Sequence, residues 1–286
     1  MKKVLLCIVI VGLILFPVAA CTPVSAGIWE QLPLYGADIK SLAIDPNNSQ
    51  TIYVGTYGGG VVKSSDSGTS WASSSSGITN NQVWCLALDP SNPQILYAGT
   101  DGGGVVKSSD GGAHWANSSR GLSVRSEHSL AIDPNNSQTL YVGTGDGMVF
   151  KSSDGGENWA NSSSGIANTP YSDVVSLAID PSNPQILYAG IEGSGVWKSI
   201  NGGDSWAACS TGATSSKMRC LALDPSNPQI LYAGTDNGVF KSINSGASWA
   251  AFSSGLPDNA VQCLAVDSRG LLYAGTYSNG LFRLAT

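Results

Sequence analysis

Charged and histidine residues are scarce in this sequence. Only 12% of its 286 residues are Asp, Glu, Lys or Arg, and the formal net charge is −6. A chain with few cations and a net negative charge repels phosphate backbones, so we expect no nucleic-acid partner. Two His and no clustered Cys and His exclude a zinc motif. We therefore expect neither a bound metal nor another cofactor.

Long apolar runs are missing beyond residue 20. Residues 4–20 are apolar or small and follow Lys2 and Lys3, which is the arrangement of an export signal. The residues before Cys21 resemble the bacterial lipoprotein box, which implies cleavage there and lipidation of Cys21. Plain secretion with cleavage after residue 26 and a retained membrane anchor are the alternatives.

This segment predicts that the protein is located in the cell envelope, outside the cytoplasm. We expect residues 1–20 to be the signal peptide and residues 21–27 a short tether. No later stretch is long and apolar enough to span a bilayer, so the membrane would be reached through the lipid anchor only. Residues 28–286 remain as one domain.

One apolar phrase occurs six times along that domain. Its copies cover residues 42–56, 86–100, 130–144, 177–191, 221–235 and, in shorter form, 264–276. The tyrosines that mark the repeat are spaced by 44, 44, 47, 44 and 41 residues. A four-stranded propeller blade takes roughly 40–50 residues, and each copy has short β-forming runs bounded by Asp-Pro or Gly turns. The sequence predicts an all-β, six-bladed β-propeller of four-stranded antiparallel blades.

A second motif lies between the third and fourth predicted strands of five blades. We call these segments the box turns: residues 64–71, 108–115, 152–159, 199–206 and 242–249. Their shared pattern, Ser-x-Asp/Asn-x-Gly-x-x-Trp, is that of the Asp box, also called the bacterial neuraminidase repeat. The chain resembles Asp-box propellers, which include sialidases, xyloglucan-active glycosidases, sortilin-type receptors and the photosystem II assembly-factor family.

The box turns are interpreted as structural. Their motif residues are Asp66, Trp71, Asp110, Trp115, Asp154, Trp159, Asn201, Trp206, Asn244 and Trp249. An Asp side chain can accept hydrogen bonds from turn amides, and Asn keeps such an acceptor without the charge. Because two of the five turns carry Asn, the position is expected to brace the turn and not to move protons.

The sixth repeat lacks a box turn and a fourth strand. The N-terminal residues 28–32 supply a strand led by Trp29. We expect this strand to pair with residues 280–284, which would close the ring and protect sheet edges that would otherwise be exposed. A ring closed in this way is expected to be a monomer.

Candidates for a ligand site are the residues that differ between repeats on one face. The loop before strand one and the loop between strands two and three meet at the mouth of the central channel, where the side chains change from blade to blade. The candidates are Lys40, Tyr57, Trp84, Asp101, His128, Asp146, Tyr171, Glu192, Arg219, Asp236 and Tyr277. Aromatic rings, carboxylates and a few cations suit a glycan or a protein loop; unselected variation of an exposed rim is the alternative.

The cysteines allow two interpretations. Cys85, Cys220 and Cys263 occupy a repeat position that is Ser in the other blades, which favours small buried side chains. In an exported protein, a disulfide from Cys220 to Cys209 or to Cys263 is the alternative.

Three functions are compatible with the sequence. The resemblance to assembly-factor propellers implies a non-catalytic binding or assembly module of the cell envelope, with a protein or glycan partner, and this is our expectation. A glycan-binding protein or glycosidase is the second. Sialidases use three arginines and an Arg-Ile-Pro motif, whereas this chain has five Arg in all and lacks the motif, so we assign no catalytic residue. A structural surface protein is the third.

Overall fold

The computed structural model describes residues 32–34, 37–123, 126–166, 172–212, 217–256, 260–267, 270–277 and 279–284. These residues form six antiparallel β-sheets. Within these ranges there is no helix, and so none with the length and apolar character needed to cross a membrane. The prediction of a six-bladed β-propeller is confirmed.

Each sheet is one blade. Blade 1 contains β1 (Ile39–Ile44), β2 (Ile52–Thr56), β3 (Gly60–Ser64) and β4 (Ala72–Ser73). Blade 2 contains β5 (Val83–Leu88), β6 (Leu96–Thr100), β7 (Gly104–Ser108) and β8 (Ala116–Asn117). Blade 3 contains β9 (Glu127–Ile132), β10 (Leu140–Thr144), β11 (Val149–Ser152) and β12 (Ala160–Asn161). Blade 4 contains β13 (Val174–Ile179), β14 (Leu187–Ile191), β15 (Gly195–Ser199) and β16 (Ala207–Ala208). Blade 5 contains β17 (Met218–Leu223), β18 (Leu231–Thr235), β19 (Gly238–Ser242) and β20 (Ala250–Ala251). Blade 6 contains β21 (Val261–Val266), β22 (Leu272–Thr276) and β23 (Gly280–Arg283).

The second strand of a blade is its most buried element. In blades 1–5 all of its residues are buried, because neighbouring blades cover both faces of the sheet. Glycine near its end allows the blades to approach. A Cβ added at Gly143 would lie 2.5 Å from Cγ1 of Val174 in the next blade, and one at Gly55 would lie 2.7 Å from Cγ1 of Val83. The repeated glycine therefore sets the distance between blades.

Hydrogen bonds in two directions join neighbouring blades. The second-strand tyrosine donates its hydroxyl to a box-turn carbonyl of the next blade: Tyr53 to Gly111, Tyr97 to Gly155, Tyr141 to Gly202 and Tyr188 to Ser245. The box-turn tryptophan donates Nε1 back, at 2.7 Å, to a carbonyl of the preceding blade: Trp115 to Ser74, Trp159 to Ser118, Trp206 to Ser162 and Trp249 to Cys209. Burial raises the pKa of Tyr188 to about 12, which keeps its hydroxyl a donor.

The acceptor of each box turn can be Asp or Asn. In blade 1, Oδ1 of Asp66 accepts from the backbone N–H of Ser70 at 2.9 Å, and Oδ2 accepts from the Ser70 hydroxyl at 2.6 Å. In blade 4, Oδ1 of Asn201 accepts from the N–H of Ser205 at 2.9 Å, while Nδ2 donates to the Ser205 hydroxyl at 2.9 Å. The serine hydroxyl changes from donor to acceptor, so either residue braces the turn.

Hydrogen bonds lower the pKa of the box-turn carboxyl groups. Those from the backbone and ring of His114 hold the pKa of Asp110 at about 2. Those from the side chain and backbone of Asn158 hold the pKa of Asp154 at about 2, and bonds from Ser70 lower that of Asp66. A depressed folded-state pKa gives stability that is present above the unfolded value of about 3.9 and is lost as the pH falls through the folded value.

Exchanging these acids for Asn should therefore reduce the sensitivity to acid. We compare the decrease in melting temperature from about pH 7 to about pH 2.5. We expect this decrease to be smaller for the triple variant Asp66→Asn, Asp110→Asn, Asp154→Asn than for the wild type. Thermal unfolding at the two pH values is the measurement. The converse variant Asn201→Asp should lose more. Equal losses in all three proteins would contradict a titrating role for the box turns.

Leu32 contacts the box turn of blade 1. A Cβ added at Gly68 would lie 2.6 Å from Cδ1 of Leu32. In blade 2 the equivalent Gly112 faces Ser74 in the same way, and Ser74 stands three residues after the preceding box-turn tryptophan. Leu32 stands three residues after Trp29. This contact supports the predicted closure; the closing strand itself, residues 28–31, lies outside the described residues.

The four cysteines of the described ranges form no disulfide with one another in the structure. Cys85, Cys220 and Cys263 are buried in the first strands, and Cys209 is half-buried. Burial raises the pKa of Cys209 to about 12. Neither disulfide alternative is formed.

Candidate functional site

A β-bulge in the first strand of every blade shapes the rim of the channel. The pairing of strands one and two skips one residue per blade, and these residues are Lys40, Trp84, His128, Val175, Arg219 and Gln262. A bulge leaves its extra residue unpaired and re-aims the side chain. The position that varies between repeats is thus the bulge position, and a change of side chain there alters no ladder pairing.

The residue after strand two forms the second ring of the rim. Its backbone N–H donates to the residue two before the bulge, as in Tyr57 to Asp38, Asp101 to Gln82, Gly145 to Ser126, Glu192 to Asp173, Asp236 to Lys217 and Tyr277 to Ala260. In blade 3 this position is Gly145 and not Asp146, one residue from where the sequence comparison placed it. Asp146 is instead half-buried and accepts a hydrogen bond from the Thr144 hydroxyl.

Aromatic rings of three consecutive blades meet on the rim. The ring centroids of Tyr57 and Trp84 are 5.6 Å apart in an edge-on arrangement. The Trp84 and His128 rings are 5.1 Å apart and tilted by 42°. Nζ of Lys40 lies 4.9 Å from the Trp84 centroid and 5.5 Å from that of Tyr57, within cation–π range. Four of the predicted site residues therefore form one continuous surface.

Polar groups extend this surface from blade 2 to blade 4. Nδ1 of His128 is 3.1 Å from Oδ2 of Asp173, and its Nε2 is 3.0 Å from the Ser126 hydroxyl. That hydroxyl also donates to Oδ1 of Asp101 at 3.0 Å. The side chains of His128 and Asp173 are 16% and 31% exposed, so both remain within reach of a ligand.

We call these residues the rim cluster. It consists of Lys40, Tyr57, Trp84, Asp101, Ser126, His128 and Asp173. Asp38, 3.1 Å from Nζ of Lys40, adds a further carboxylate at its edge. The cluster combines flat apolar ring faces with several hydrogen-bond acceptors and one cation. Such a surface suits a polar ligand that has an apolar face.

The remaining candidates are not members of the rim cluster, although the backbone N–H of Glu192 donates to the carbonyl of Asp173. Glu192 forms an ion pair of 3.6 Å with Lys217 across blades 4 and 5. Arg219 borders a cavity of about 170 Å³ in the channel, lined mainly by apolar side chains of the first strands of blades 3–6. Tyr277 is 67% exposed, and Asp236 is half-buried. Tyr171 lies outside the described residues.

Five residues in or beside the rim cluster were not among the predicted candidates: Asp38, Ser126, Glu127, Gly145 and Asp173. Ser126 and Gly145 flank His128, and Glu127 is fully buried between them. Comparison of the repeats contains the signal for Glu127, because the other blades have an apolar residue there: Ile39, Val83, Val174, Met218 and Val261. Burial, and then the charge of Glu127, raises the pKa of the Cys85 thiol.

Over the part of the chain that the structure describes, no group of three or more His, Cys, Asp and Glu side chains is placed to hold a metal ion. The expectation of a metal-free site stays a prediction.

Comparison with known proteins identifies a propeller family. Residues 47–276 match the family described as the DUF6242 beta propeller domain. An ancestral GH74 enzyme is 26% identical with a TM-score of 0.76, over 91% of this chain and 38% of its own. The GH74 enzyme of Niastella koreensis is 22% identical with a TM-score of 0.70, over 86% of this chain and 44% of its own. YCF48 from Cyanidioschyzon merolae is 15% identical with a TM-score of 0.63, over 90% and 88%.

The chain spans less than half the length of the two GH74 enzymes. No curated protein matches its sequence. The likeness to YCF48 and to the Niastella enzyme concerns the fold alone.

Proposed function

The chain belongs to the DUF6242 beta propeller domain family, and from this premise and the geometry of its rim we propose that it is a binding module of the cell envelope. The rim cluster is the binding surface, and a protein loop or a glycan is the partner. The observation that carries the proposal is the unbroken contact of Lys40, Tyr57, Trp84 and His128 over three blades.

The position of the cluster favours binding over rim variation without a role. Side chains that varied freely at the six bulges would not be expected to stack in sequence across blades 1–3. Aromatic residues dominate the energy of many interfaces because a rigid ring buries a large area at a small cost in side-chain entropy. Trp84 lies at the centre of the stack, so it is the expected anchor.

A glycan is the second candidate for the partner. The ancestral GH74 enzyme, at 26% identity, is the neighbour that favours it. Ring faces next to carboxylates such as Asp101 and Asp173 offer a sugar both an apolar platform and hydrogen-bond acceptors. A ligand-free structural role is the third candidate, and it predicts that the rim can be changed without effect.

Capture from the envelope separates these candidates. Soluble protein of residues 27–286 is used as bait on detergent-solubilised envelope, and captured proteins and glycans are identified by mass spectrometry. We expect Trp84→Ala to reduce capture of the specific partner by about thirtyfold, the effect of losing an anchor of about 2 kcal/mol.

Tyr277→Ala is the matched control, because Tyr277 is an aromatic residue on the same rim outside the cluster. It should capture as much partner as the wild type. Equal loss in both variants would contradict the rim cluster as the binding surface, and equal capture by all three baits would favour the structural role. A partner recovered from the cytosol and not from the envelope would contradict the proposed location in the cell envelope.

A further inference from the structure

Ser126, His128 and Asp173 lie in the order of a nucleophile, a base and a group that orients the base. The Ser126 hydroxyl is 3.0 Å from Nε2 of His128, and Nδ1 of the same ring is 3.1 Å from Asp173. Both distances are within the range at which such groups transfer and direct a proton. The two ring nitrogens are thus engaged by two different partners, one for each role.

Two features of the fold produce this order. Ser126 and His128 are two residues apart around the bulge of β9, and Asp173 ends the loop that leads into β13 of the next blade. That loop belongs to the longest repeat, of 47 residues. In the other blades the residue in the His128 position is Lys40, Trp84, Val175, Arg219 or Gln262, none of which is a general base of this kind.

Gly145 leaves open the space that an attacking serine needs. A Cβ at this position would lie 3.2 Å from Cε1 of His128 and 3.4 Å from both its Nε2 and the Ser126 hydroxyl oxygen. Every other described blade carries a side chain here: Tyr57, Asp101, Glu192, Asp236 or Tyr277. The φ angle of Gly145 is not positive, so the backbone does not demand glycine. The missing side chain opens the reactive atoms to a substrate.

We propose that the rim cluster hydrolyses carboxylic esters with small acyl groups, with Ser126 as nucleophile, His128 as general base and acid, and Asp173 as the residue that positions the ring. This activity goes beyond the binding role proposed above. A small acyl group matches the volume freed by one absent side chain. The polar rim around it suits an ester carried on a polar molecule, and the Trp84 ring limits motion of the imidazole.

The reaction balances without a further reagent. The Ser126 oxygen attacks the acyl carbon and forms the new C–O bond, while the proton of Ser126 passes to Nε2 of His128. The bond to the alcohol then breaks, and the alcohol leaves with that proton. Water attacks the acyl-serine, again giving a proton to Nε2, and the carboxylic acid leaves as Ser126 regains its hydrogen.

Asp101 defines the arrangement that competes with this one. The Ser126 hydroxyl carries one hydrogen and lies 3.0 Å from both Oδ1 of Asp101 and Nε2 of His128. If Asp101 keeps this hydrogen and Nε2 of His128 is a donor to Ser126, no base is present and a fluorophosphonate does not label the serine. If Nε2 accepts the hydrogen as the serine attacks, the serine is labelled. Labelling of the serine by a fluorophosphonate at about pH 8 therefore decides between them.

We expect the wild-type protein to form a fluorophosphonate adduct located at Ser126 by peptide mass spectrometry, and to hydrolyse p-nitrophenyl acetate. Ser126→Ala should abolish both. His128→Gln should slow labelling about a thousandfold or more, and Gly145→Ala about a hundredfold. Asp173→Asn should slow labelling as much as His128→Gln does. Asp173→Glu should restore part of the labelling rate, which a merely structural role of Asp173 would not produce.

His114→Ala is the control. His114 also contacts an aspartate, Nδ1 to Oδ2 of Asp110 at 2.8 Å, but on the opposite face of the propeller and 78% exposed. It should leave labelling unchanged. An unlabelled wild type, or labelling that survives Ser126→Ala, overturns the proposal. Capture of an envelope partner by an unlabelled wild type would overturn the esterase alone and leave the binding role standing.

Discussion

Removal of residues 28–34 is expected to destabilise the propeller by about 5 kcal/mol or more, an amount comparable with the whole stability of many domains. β23 is the outermost described strand of blade 6, and its Leu281 is 38% exposed. The predicted strand would add several hydrogen bonds of about 1 kcal/mol each along this edge, and a Trp29 side chain buried on closure would add about 3 kcal/mol. Loss of the Leu32 contact with Gly68 opens the first blade as well.

Thermal unfolding and size-exclusion chromatography measure this effect. We expect a lower melting temperature and soluble aggregates, because the uncovered edge of β23 can pair with other copies. Deletion of residues 22–27 is the matched control, since it shortens the chain by a similar length and spares Trp29 and Leu32. A protein lacking 28–34 that stays monomeric with an unchanged melting temperature would refute the predicted closure.

The sequence predicted the blade count because each repeat carries its own turn and strand chemistry. Tyr53 and its five counterparts record the period, and the Gly and Asp-Pro turns around them stop each strand. The bond of each tyrosine to the next blade was not predictable, because it joins residues about one repeat apart whose contact depends on the angle between blades. Closure was predicted from Trp29, and Leu32 supports it.

The location of the candidate site was predicted, but the contacts between its side chains were not. Comparison of the repeats selected Lys40, Tyr57, Trp84 and His128, and these are the residues that stack. The shift from Asp146 to Gly145 could have been avoided from the sequence, because Gly145 directly follows Thr144 as Asp101 follows Thr100 in the repeat. The contact from His128 to Asp173 crosses two blades and depends on the path of the loop before β13, which no local pattern determines.

Alanine at Gly121 is expected to be far more harmful than alanine at Gly102, although both glycines lie in turns of blade 2 and have a positive φ. Their φ angles are +95° and +81°, so the cost of placing a side chain in the left-handed region, about 1–2 kcal/mol, is shared. A Cβ at Gly121 would lie 2.1 Å from the backbone oxygen of Trp159 in the next blade. The nearest described atom to a Cβ at Gly102 is Nδ2 of Asn80 at 3.6 Å, an ordinary contact with a side chain.

The difference between the two variants isolates a contact between blades. Gly121 faces the box turn of blade 3, whereas Gly102 lies in the turn between β6 and β7. Because the obstacle at Gly121 is backbone, the two blades must separate, and overpacking of this kind costs about 1–3 kcal/mol beyond the shared term. That corresponds to a melting temperature lower by about 2–12 °C for Gly121→Ala than for Gly102→Ala. Equal melting temperatures would mean that blade spacing tolerates a methyl group here, and that the bonds from Trp159 to Ser118 and from Tyr97 to Gly155 bend without loss.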